Sequence, residues 1–206
     1  MLTFLLAGIG MVLSFPIGVL LAIGRQSKYP VIRAFCIVFI ELVRAVPLIS
    51  VLFMAQTMLP LFLPESITPD RVIRALTAIT IFSSAYMAEN VRGGLQAIEK
   101  GQYEAAHALG LNDYLSLRLI ILPQALKKII PILTVHVIGG FRDTSLVIVV
   151  GLLDLLGIAR SVLAQSQFLG RHIEVYAFLA AIYWLFSYIM SILGQRIEAR
   201  VGIQRS

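Results

Sequence analysis

The chain has 206 residues, of which 59% are hydrophobic and 14% are charged, and its mean hydropathy is +0.90. Soluble domains are typically about half apolar or less, so the composition excludes a soluble globular protein and predicts one all-α integral membrane domain over residues 1–206. The net charge of +6 does not indicate a nucleic-acid partner, because the basic residues lie at the ends of apolar segments and form no run with interleaved aromatics.

Two long apolar segments open the chain and predict its first two helices. The first helix covers about residues 2–24, which is long enough to cross a hydrocarbon core of ~30 Å. The second covers about residues 34–63, and Pro47 is expected to bend it. Within the second helix, Glu41 and Arg44 share a face and can form an ion pair. Such charges either face protein or water inside the bundle or extend to the cytoplasmic boundary, and both interpretations stay open.

The third predicted helix covers about residues 71–93 and begins after a helix-start signal. Thr68-Pro69-Asp70 is that signal, with the threonine as the expected cap and the proline in the first turn. Arg74 and Glu89 flank a short uncharged centre, so both must extend to an interface or to the bundle interior. Small side chains at residues 83–85 are expected to allow close approach of a neighbouring helix.

A polar interruption follows over residues 99–123 and contains two predicted short helices. Gly110 lies between them and permits a left-handed end to the first helix. Asn112 and Asp113 are expected to cap the second helix. Pro123 is expected to break the chain after that helix.

The first of these short helices presents a shallow apolar face. Ala105, Ala108 and Leu109 share that face at helical spacing. Such a face suits docking into a groove of another protein. Composition alone favours the alternative, an ordinary cytoplasmic loop with two capped helices.

The last part of the chain alternates apolar and polar segments. A fourth helix is predicted over about residues 124–141 and a fifth over about residues 175–195. Residues 146–156 contain Asp154 and are too few to span a bilayer, so they predict a short or re-entrant helix. A polar loop is expected over residues 160–174.

Positive charges orient the five predicted spans. Lys and Arg concentrate in the loops after the first and third helices and at the C-terminus, where Arg196, Arg200 and Arg205 lie. Cytoplasmic segments carry such an excess, so these segments and the C-terminus should face the cytoplasm. The N-terminus and the loops around Glu65 and Gln167 would then face outward, and the polar interruption would be cytoplasmic.

The spacing of residues in the interruption matches a known motif. Glu-Ala-Ala is followed by three residues, a glycine, nine residues, an isoleucine, one residue and Leu-Pro. The motif residues are Glu104, Ala105, Ala106, Gly110, Ile120, Leu122 and Pro123. The pattern resembles the EAA loop of ABC-importer permeases at every defining position. Residues 85–104 resemble, more narrowly, the permeases of polar and general amino acid uptake systems, and the resemblance extends from Phe15 to Gly157.

This resemblance implies a type I ABC-importer permease of the bacterial inner membrane, with a MetI-like fold of five transmembrane helices and a cytoplasmic coupling helix. It implies a second permease subunit, an external substrate-binding protein, an amino acid substrate, and two ATP-binding subunits that hold ATP and Mg²⁺. Two different permeases are the more usual pairing in such systems, although the sequence leaves a homodimer open and does not identify the amino acid. Relatives carry more residues before the first helix, so a longer native N-terminus is expected.

Polar residues within or beside the predicted spans are the candidates for a transport path. They are Arg142, Asp143, Thr144, Ser145, Asp154, Glu41, Arg44, Tyr86 and Glu89. A zwitterionic amino acid needs an anion for its ammonium, which Asp143 or Asp154 can supply, and hydrogen-bond donors for its carboxylate. The hydroxyls of Thr144 and Ser145, an arginine or a helix N-terminus can donate. Alternatively, Arg142 and Asp143 neutralise each other or hold helix ends.

Motifs for chemistry are absent from the sequence. It contains no P-loop, nucleophile motif or metal-ligand spacing, so the chain is not expected to be an enzyme or to hold a cofactor. Cys36 is the single cysteine, and each of the three histidines is expected to make an ordinary polar contact. An ion-coupled secondary transporter would show inverted repeats, and a non-transporting assembly subunit would avoid buried charges. An ATPase subunit retained on purification would exclude both alternatives.

Overall fold

The computed structural model describes residues 1–64 and 67–202, and every regular element within these ranges is a helix. The α-helices in chain order are α1 (Leu2–Arg25), α2 (Pro30–Ala45), α3 (Leu48–Thr57), α4 (Leu59–Phe62), α5 (Arg71–Gln96), α6 (Lys100–Ala108), α7 (Asp113–Leu115), α8 (Leu122–Asp143), α9 (Leu155–Leu163) and α10 (His172–Arg200). A π-helical turn covers Ser116–Ile121, and 3-10 helices cover Thr144–Val150 and Ser166–Phe168. The orientation predictions for Glu65 and Arg205 lie outside the described residues.

α5 lies at the centre of the bundle, where it packs against α1, α2, α3 and α8. Buried apolar side chains form one cluster at each end of α5. The cluster near the interruption contains Leu21, Ala22, Cys36, Ile40, Met87, Ala88, Val91, Leu95, Ile98, Ile121, Ala125 and Ile129. The cluster at the other end contains Leu6, Leu48, Leu52, Ala75, Ala78, Ile79, Val147 and Leu152. The central helix therefore links the polar interruption to the opposite end of the molecule.

Close contact between α1 and α5 depends on small residues, as the sequence predicted for residues 83–85. A Cβ at Gly18 would lie 2.6 Å from the Cβ of Met87 and 3.0 Å from the carbonyl oxygen of Ser84. Ser84 and Ala85 are fully buried in this contact region. The hydrophobic effect contributes little to the association of helices in a membrane, because lipid tails are as apolar as the side chains. Close approach of the two backbones instead stabilises the contact by van der Waals packing.

The predicted second helix over residues 34–63 is wrong, because the structure divides it into α2, α3 and α4. Val46 is extended, with φ −104° and ψ 135°, and Pro47 precedes the first residue of α3. The residue before a proline disfavours the helical region, and proline has no N–H to continue the helix. α2 and α3 consequently meet at 101°, which is a break rather than the expected bend.

The predicted single helix over residues 146–156 is also wrong. A 3-10 helix ends at Val150, Gly151 adopts the left-handed conformation with φ +77°, and α9 begins only at Leu155. The Asp154 side chain accepts a hydrogen bond from the Gly157 N–H at 2.8 Å and caps α9. A capping carboxylate satisfies an unpaired donor at the helix N-terminus and so favours the start of a helix at Leu155. α9 continues to Leu163, which lies within the segment predicted as a polar loop.

Helix ends differ elsewhere in smaller ways. α5 extends to Gln96, α8 covers Leu122–Asp143, and α10 covers His172–Arg200, so the predicted spans were too short where polar residues occupy helix ends. Asp70, not Thr68, caps α5 through a 3.1 Å hydrogen bond from the Val72 N–H. Polar residues can occupy these helix ends because long side chains keep their polar ends in water while their stems remain on the helix.

Three described helical segments are long and apolar enough to cross a membrane: Leu2–Arg25, Asp113–Val150 and His172–Arg200. A fourth follows if the bent pair of α2 and α3 is one span. α5 has 26 residues but carries charged side chains near both ends, which leaves a short uncharged centre. The chain is therefore a multi-pass membrane protein, and the count of five spans stays a prediction.

Candidate functional site

The turn after α6 holds the first group of predicted site residues. The Leu111 N–H donates to the Ala106 carbonyl at 3.1 Å, and the Gly110 N–H donates to the His107 carbonyl at 2.9 Å. Gly110 has φ +77°, which confirms the predicted left-handed helix end. This pair of hydrogen bonds is the Schellman motif, in which glycine adopts the left-handed conformation without a Cβ penalty.

The chain leaving this turn is held in place by side chains. Asn112 accepts a 2.9 Å hydrogen bond from the Leu115 N–H, which confirms its predicted capping role. Lys28 donates to Asp113, and the Asp113 carboxylate also lies 3.6 Å from His107. The hydrogen bond and charge of Lys28 lower the pKa of Asp113, and those of Asp113 raise the pKa of Lys28. The interruption is thereby attached to the loop between α1 and α2.

α6 has one buried face and one exposed face. Ala106 is 2% exposed, and Tyr103 packs against the adjacent core cluster, where burial raises the pKa of its phenol. On the other side, Ala105 and Ala108 are exposed, and Leu109 is 78% exposed. We call Ala105, Ala108 and Leu109 the Leu109 face. An apolar ridge on a helix that is fixed from behind is suited to insertion into a groove.

The other motif residues lie in different environments. Glu104 is exposed on α6 and lies beyond its first turn, so its charge does not stabilise the helix N-terminus. Ile120 and Leu122 pack against the core cluster near the interruption. Pro123 does not break the chain, since a helical segment runs continuously over Asp113–Val150. Proline is tolerated there because it lies in the first turn of α8, next to the π-helical turn.

A cluster of five charged side chains lies at the same end of the bundle. Glu89 of α5 pairs with Arg25 at 2.7 Å, with Arg92 at 2.7 Å and with Arg44 at 3.6 Å. Arg25 also pairs with Glu41 at 3.1 Å. We call these residues the Glu89 cluster. The expected pair of Glu41 with Arg44 is wrong, because each finds a partner on another helix. α1, α2 and α5 are thereby joined through one carboxylate that is 14% exposed.

A cavity of about 360 Å³ lies between α1, α5 and α8. Two predicted path residues, Tyr86 and Asp143, line it, together with His136. The Arg44 guanidinium lies 5.4 Å from the centre of the Tyr86 ring, so Tyr86 connects the cavity to the Glu89 cluster. The buried Nε2 of His136 has no hydrogen-bond partner among the described residues. Reasoning from the sequence missed His136; the available signal was an ionisable residue within a predicted span.

The remaining path candidates lie apart from this cavity. Arg142 donates to the Ser187 hydroxyl at 3.4 Å, and the buried Thr144 hydroxyl donates to the Phe141 carbonyl at 2.7 Å. Ser145 is half-buried. These side chains connect successive parts of α8, the following 3-10 helix and α10.

Asp154 is 1% exposed and uses both carboxylate oxygens within the protein. One accepts from the Gly157 N–H, and the other accepts from the Tyr183 hydroxyl at 3.3 Å. Buried carboxylates require such partners because an unpaired charge is costly in low dielectric. Its observed contacts are those of a helix cap.

Metal-binding groups are not clustered in the part of the chain that the structure describes. No group of three or more His, Cys, Asp or Glu side chains there is arranged to hold a metal ion. Cys36 is a free, buried thiol.

The described polar side chains can bind and orient a polar solute, and the Leu109 face can contact another protein.

The chain is similar to proteins of one transport family. The family of binding-protein-dependent transport system inner membrane components matches residues 14–203. "Inner membrane amino-acid ABC transporter permease protein YhdY" of Escherichia coli (strain K12) is 48% identical over 205 residues, which are 100% of this chain and 56% of that protein. This chain therefore spans about half the length of that relative.

Two solved structures share the architecture. A crystal structure of an amino acid ABC transporter with histidines aligns with a TM-score of 0.86 at 30% identity, covering 96% of this chain and 90% of the other. The MetNI methionine ABC transporter in inward-facing conformations aligns with a TM-score of 0.74 at 22% identity, covering 99% and 92% of the two chains. The second likeness shows the fold alone.

Proposed function

Because the chain belongs to the family of binding-protein-dependent transport system inner membrane components, we propose that it is the permease subunit of an ATP-driven amino acid importer. The Leu109 face is the observation that carries this proposal. It is an apolar ridge on a helix whose opposite side is packed into the core. The names of the similar proteins, which are amino acid ABC transporter components, support the substrate class.

The coupling function is assigned to α6 and the turn after it. The Leu109 face enters a cleft of a separate ATP-binding subunit, which binds ATP and Mg²⁺. Glu104, exposed beside this face, pairs with a cation of that subunit. Movement of the cleft passes to the bundle through Tyr103 and Ala106, which pack against the core, and through the Lys28–Asp113 pair. A rigid connection is required because ATP itself never enters the membrane.

The membrane topology that we propose has five spans, with the N-terminus outside and the C-terminus in the cytoplasm. α1, α5 and α10 are three of them, α8 with the preceding turns is the fourth, and the bent pair of α2 and α3 is the fifth. Arginines at the end of α10 favour a cytoplasmic C-terminus. The complete importer contains a second, different permease, two ATP-binding subunits and an external binding protein that delivers the amino acid.

The substrate path runs through the cavity lined by Tyr86, His136 and Asp143 and continues past the Glu89 cluster toward the cytoplasm. The Asp143 carboxylate binds the ammonium of the amino acid, since an anion in this position forms a charge-assisted hydrogen bond. Asp154 acts indirectly, by holding α9 in place.

Replacing Asp143 by Asn should raise the KM for uptake about tenfold, because the charge that attracts the ammonium is removed. Uptake is measured in proteoliposomes that contain the assembled complex. Asp70→Asn is the matched control, because asparagine also caps a helix and Asp70 lies outside the cavity. An unchanged KM in an assembled Asp143→Asn complex would contradict the assigned role.

Purification of the chain from bacterial membranes tests the whole proposal. An ATP-binding subunit should remain bound, and the reconstituted complex should take up an amino acid only when ATP and the external binding protein are present. Uptake driven by an ion gradient without ATP, or a chain that retains no ATP-binding subunit, would refute the importer function.

A further inference from the structure

A groove of about 340 Å³ lies between α9 and α10, away from the cavity and from the Leu109 face. Its walls are apolar and its mouth is charged. The wall residues include Leu155, Ile158, Val162, Phe178, Leu179 and Ile182. Arg171 and Glu174 stand together at the start of α10 and complete the lining. An apolar slot that ends in two opposite charges is suited to an amphiphile with a zwitterionic polar end.

Both charges at the mouth are free within the described part of the chain. Neither Arg171 nor Glu174 takes part in an ion pair or side-chain hydrogen bond there, and both side chains are exposed. Glu174 lies in the first turn of α10, where a carboxylate also stabilises the helix N-terminus. Its oxygens remain available to a cationic donor beside Arg171.

The length of α10 sets the depth of the groove in a membrane. Arg171 and Arg196 lie about 37 Å apart along the helix axis, at ~1.5 Å per residue. This distance lies between the ~30 Å of the hydrocarbon core and the ~40–45 Å of the whole bilayer. α10 is therefore long enough to place its two ends at the two headgroup levels, with the apolar walls next to Arg171 at the depth of acyl chains.

We propose that this groove binds an ethanolamine phospholipid. One acyl chain fills the slot between α9 and α10, the phosphate accepts hydrogen bonds from Arg171, and the headgroup ammonium donates to Glu174. A choline headgroup has no N–H to donate, and a glycerol headgroup has no cation. A free amino acid matches the two charges but leaves the apolar walls unfilled, so the site selects the phospholipid by both parts of its structure.

Native mass spectrometry of the complex as purified from membranes tests this site. After removal of bound lipid, the complex is titrated with ethanolamine, choline and glycerol phospholipids that carry identical acyl chains. The ethanolamine lipid should bind about tenfold more tightly than the other two. Glu174→Gln should remove that preference by weakening only the ethanolamine lipid, and Arg171→Gln should weaken all three.

Arg200→Gln is the matched control, because Arg200 lies at the opposite end of α10 and should leave the preference unchanged. The charge swap of Arg171→Glu with Glu174→Arg provides a further check, since it should restore part of the ethanolamine lipid binding that either single change loses. Equal binding of the three lipids to the unmodified complex would overturn the proposal. So would an ethanolamine preference that survives Glu174→Gln, or displacement of the lipid by free amino acid. The result does not depend on transport, so it is separable from the importer function.

Discussion

Amino acid uptake should fall about 10- to 100-fold, while ATP hydrolysis continues, when Gly110 becomes Asp and Glu104 becomes Lys in the assembled complex. Gly110 has φ +77°, and a side chain in the left-handed region costs roughly 1–2 kcal/mol, so the turn after α6 is destabilised. The new lysine also reverses the charge beside the Leu109 face. Both changes lie on α6 or the turn after it, which receive movement from the ATP-binding subunit in this proposal. They leave the ATP-binding subunit itself unaltered.

Uptake and ATPase activity are measured on the same proteoliposomes, so that coupling is their ratio. Gly202→Asp is the matched control, because Gly202 has the same left-handed conformation, with φ +80°, at the far end of the chain. The control should retain coupling. A double variant that retains assembly and an unchanged ratio of uptake to hydrolysis would remove α6 from the coupling mechanism.

Glu89→Gln should lower the thermal unfolding midpoint of the purified complex by roughly 6–12 °C, the shift expected for a loss of about 3 kcal/mol. Glu89 is 14% exposed and pairs with Arg25, Arg44 and Arg92. Glutamine keeps the size of the side chain but removes the charge, which leaves three guanidinium groups close together with Glu41 as the only carboxylate of the cluster. The contact of α1 and α2 with α5 should loosen first.

Glu99→Gln makes the same chemical change at an exposed position that forms no side-chain cap of α6. Its midpoint should match that of the unmodified complex. If Glu89→Gln and Glu99→Gln had equal midpoints, the Glu89 cluster would contribute nothing to the stability of the bundle.

Local signals in the sequence were sufficient to predict the turn after α6. Gly110 and Asn112 act within a few residues of their own positions, so their roles as helix end and helix cap could be predicted without knowledge of the fold. The apolar face of Ala105, Ala108 and Leu109 follows from helical spacing alone. Its exposure could not be predicted, because that depends on which side of α6 packs against the core.

Contacts between distant segments were the part that the sequence did not reveal. Glu41 and Arg44 lie at pairing distance within one helix, yet Arg25 and Glu89 compete successfully for them across helix–helix contacts. Asp154 was interpreted as a candidate for substrate binding because buried charges are costly, whereas its capping role requires knowledge of where α9 begins. These three ionisable residues in apolar segments thus have partners that the sequence does not identify.

Labelling and cross-linking from Leu109→Cys in intact cells tests the central claim most directly. Cys36 is the only cysteine of this sequence and is buried, so among these residues the new thiol is the accessible one. Leu169→Cys, in a loop expected to face outward, serves as the comparison. The account predicts that the thiol at position 109 resists a membrane-impermeant maleimide added outside and cross-links to an ATP-binding subunit, while position 169 is labelled. Labelling of position 109 from outside, or a position 109 that cross-links to no nucleotide-binding partner, would contradict the account.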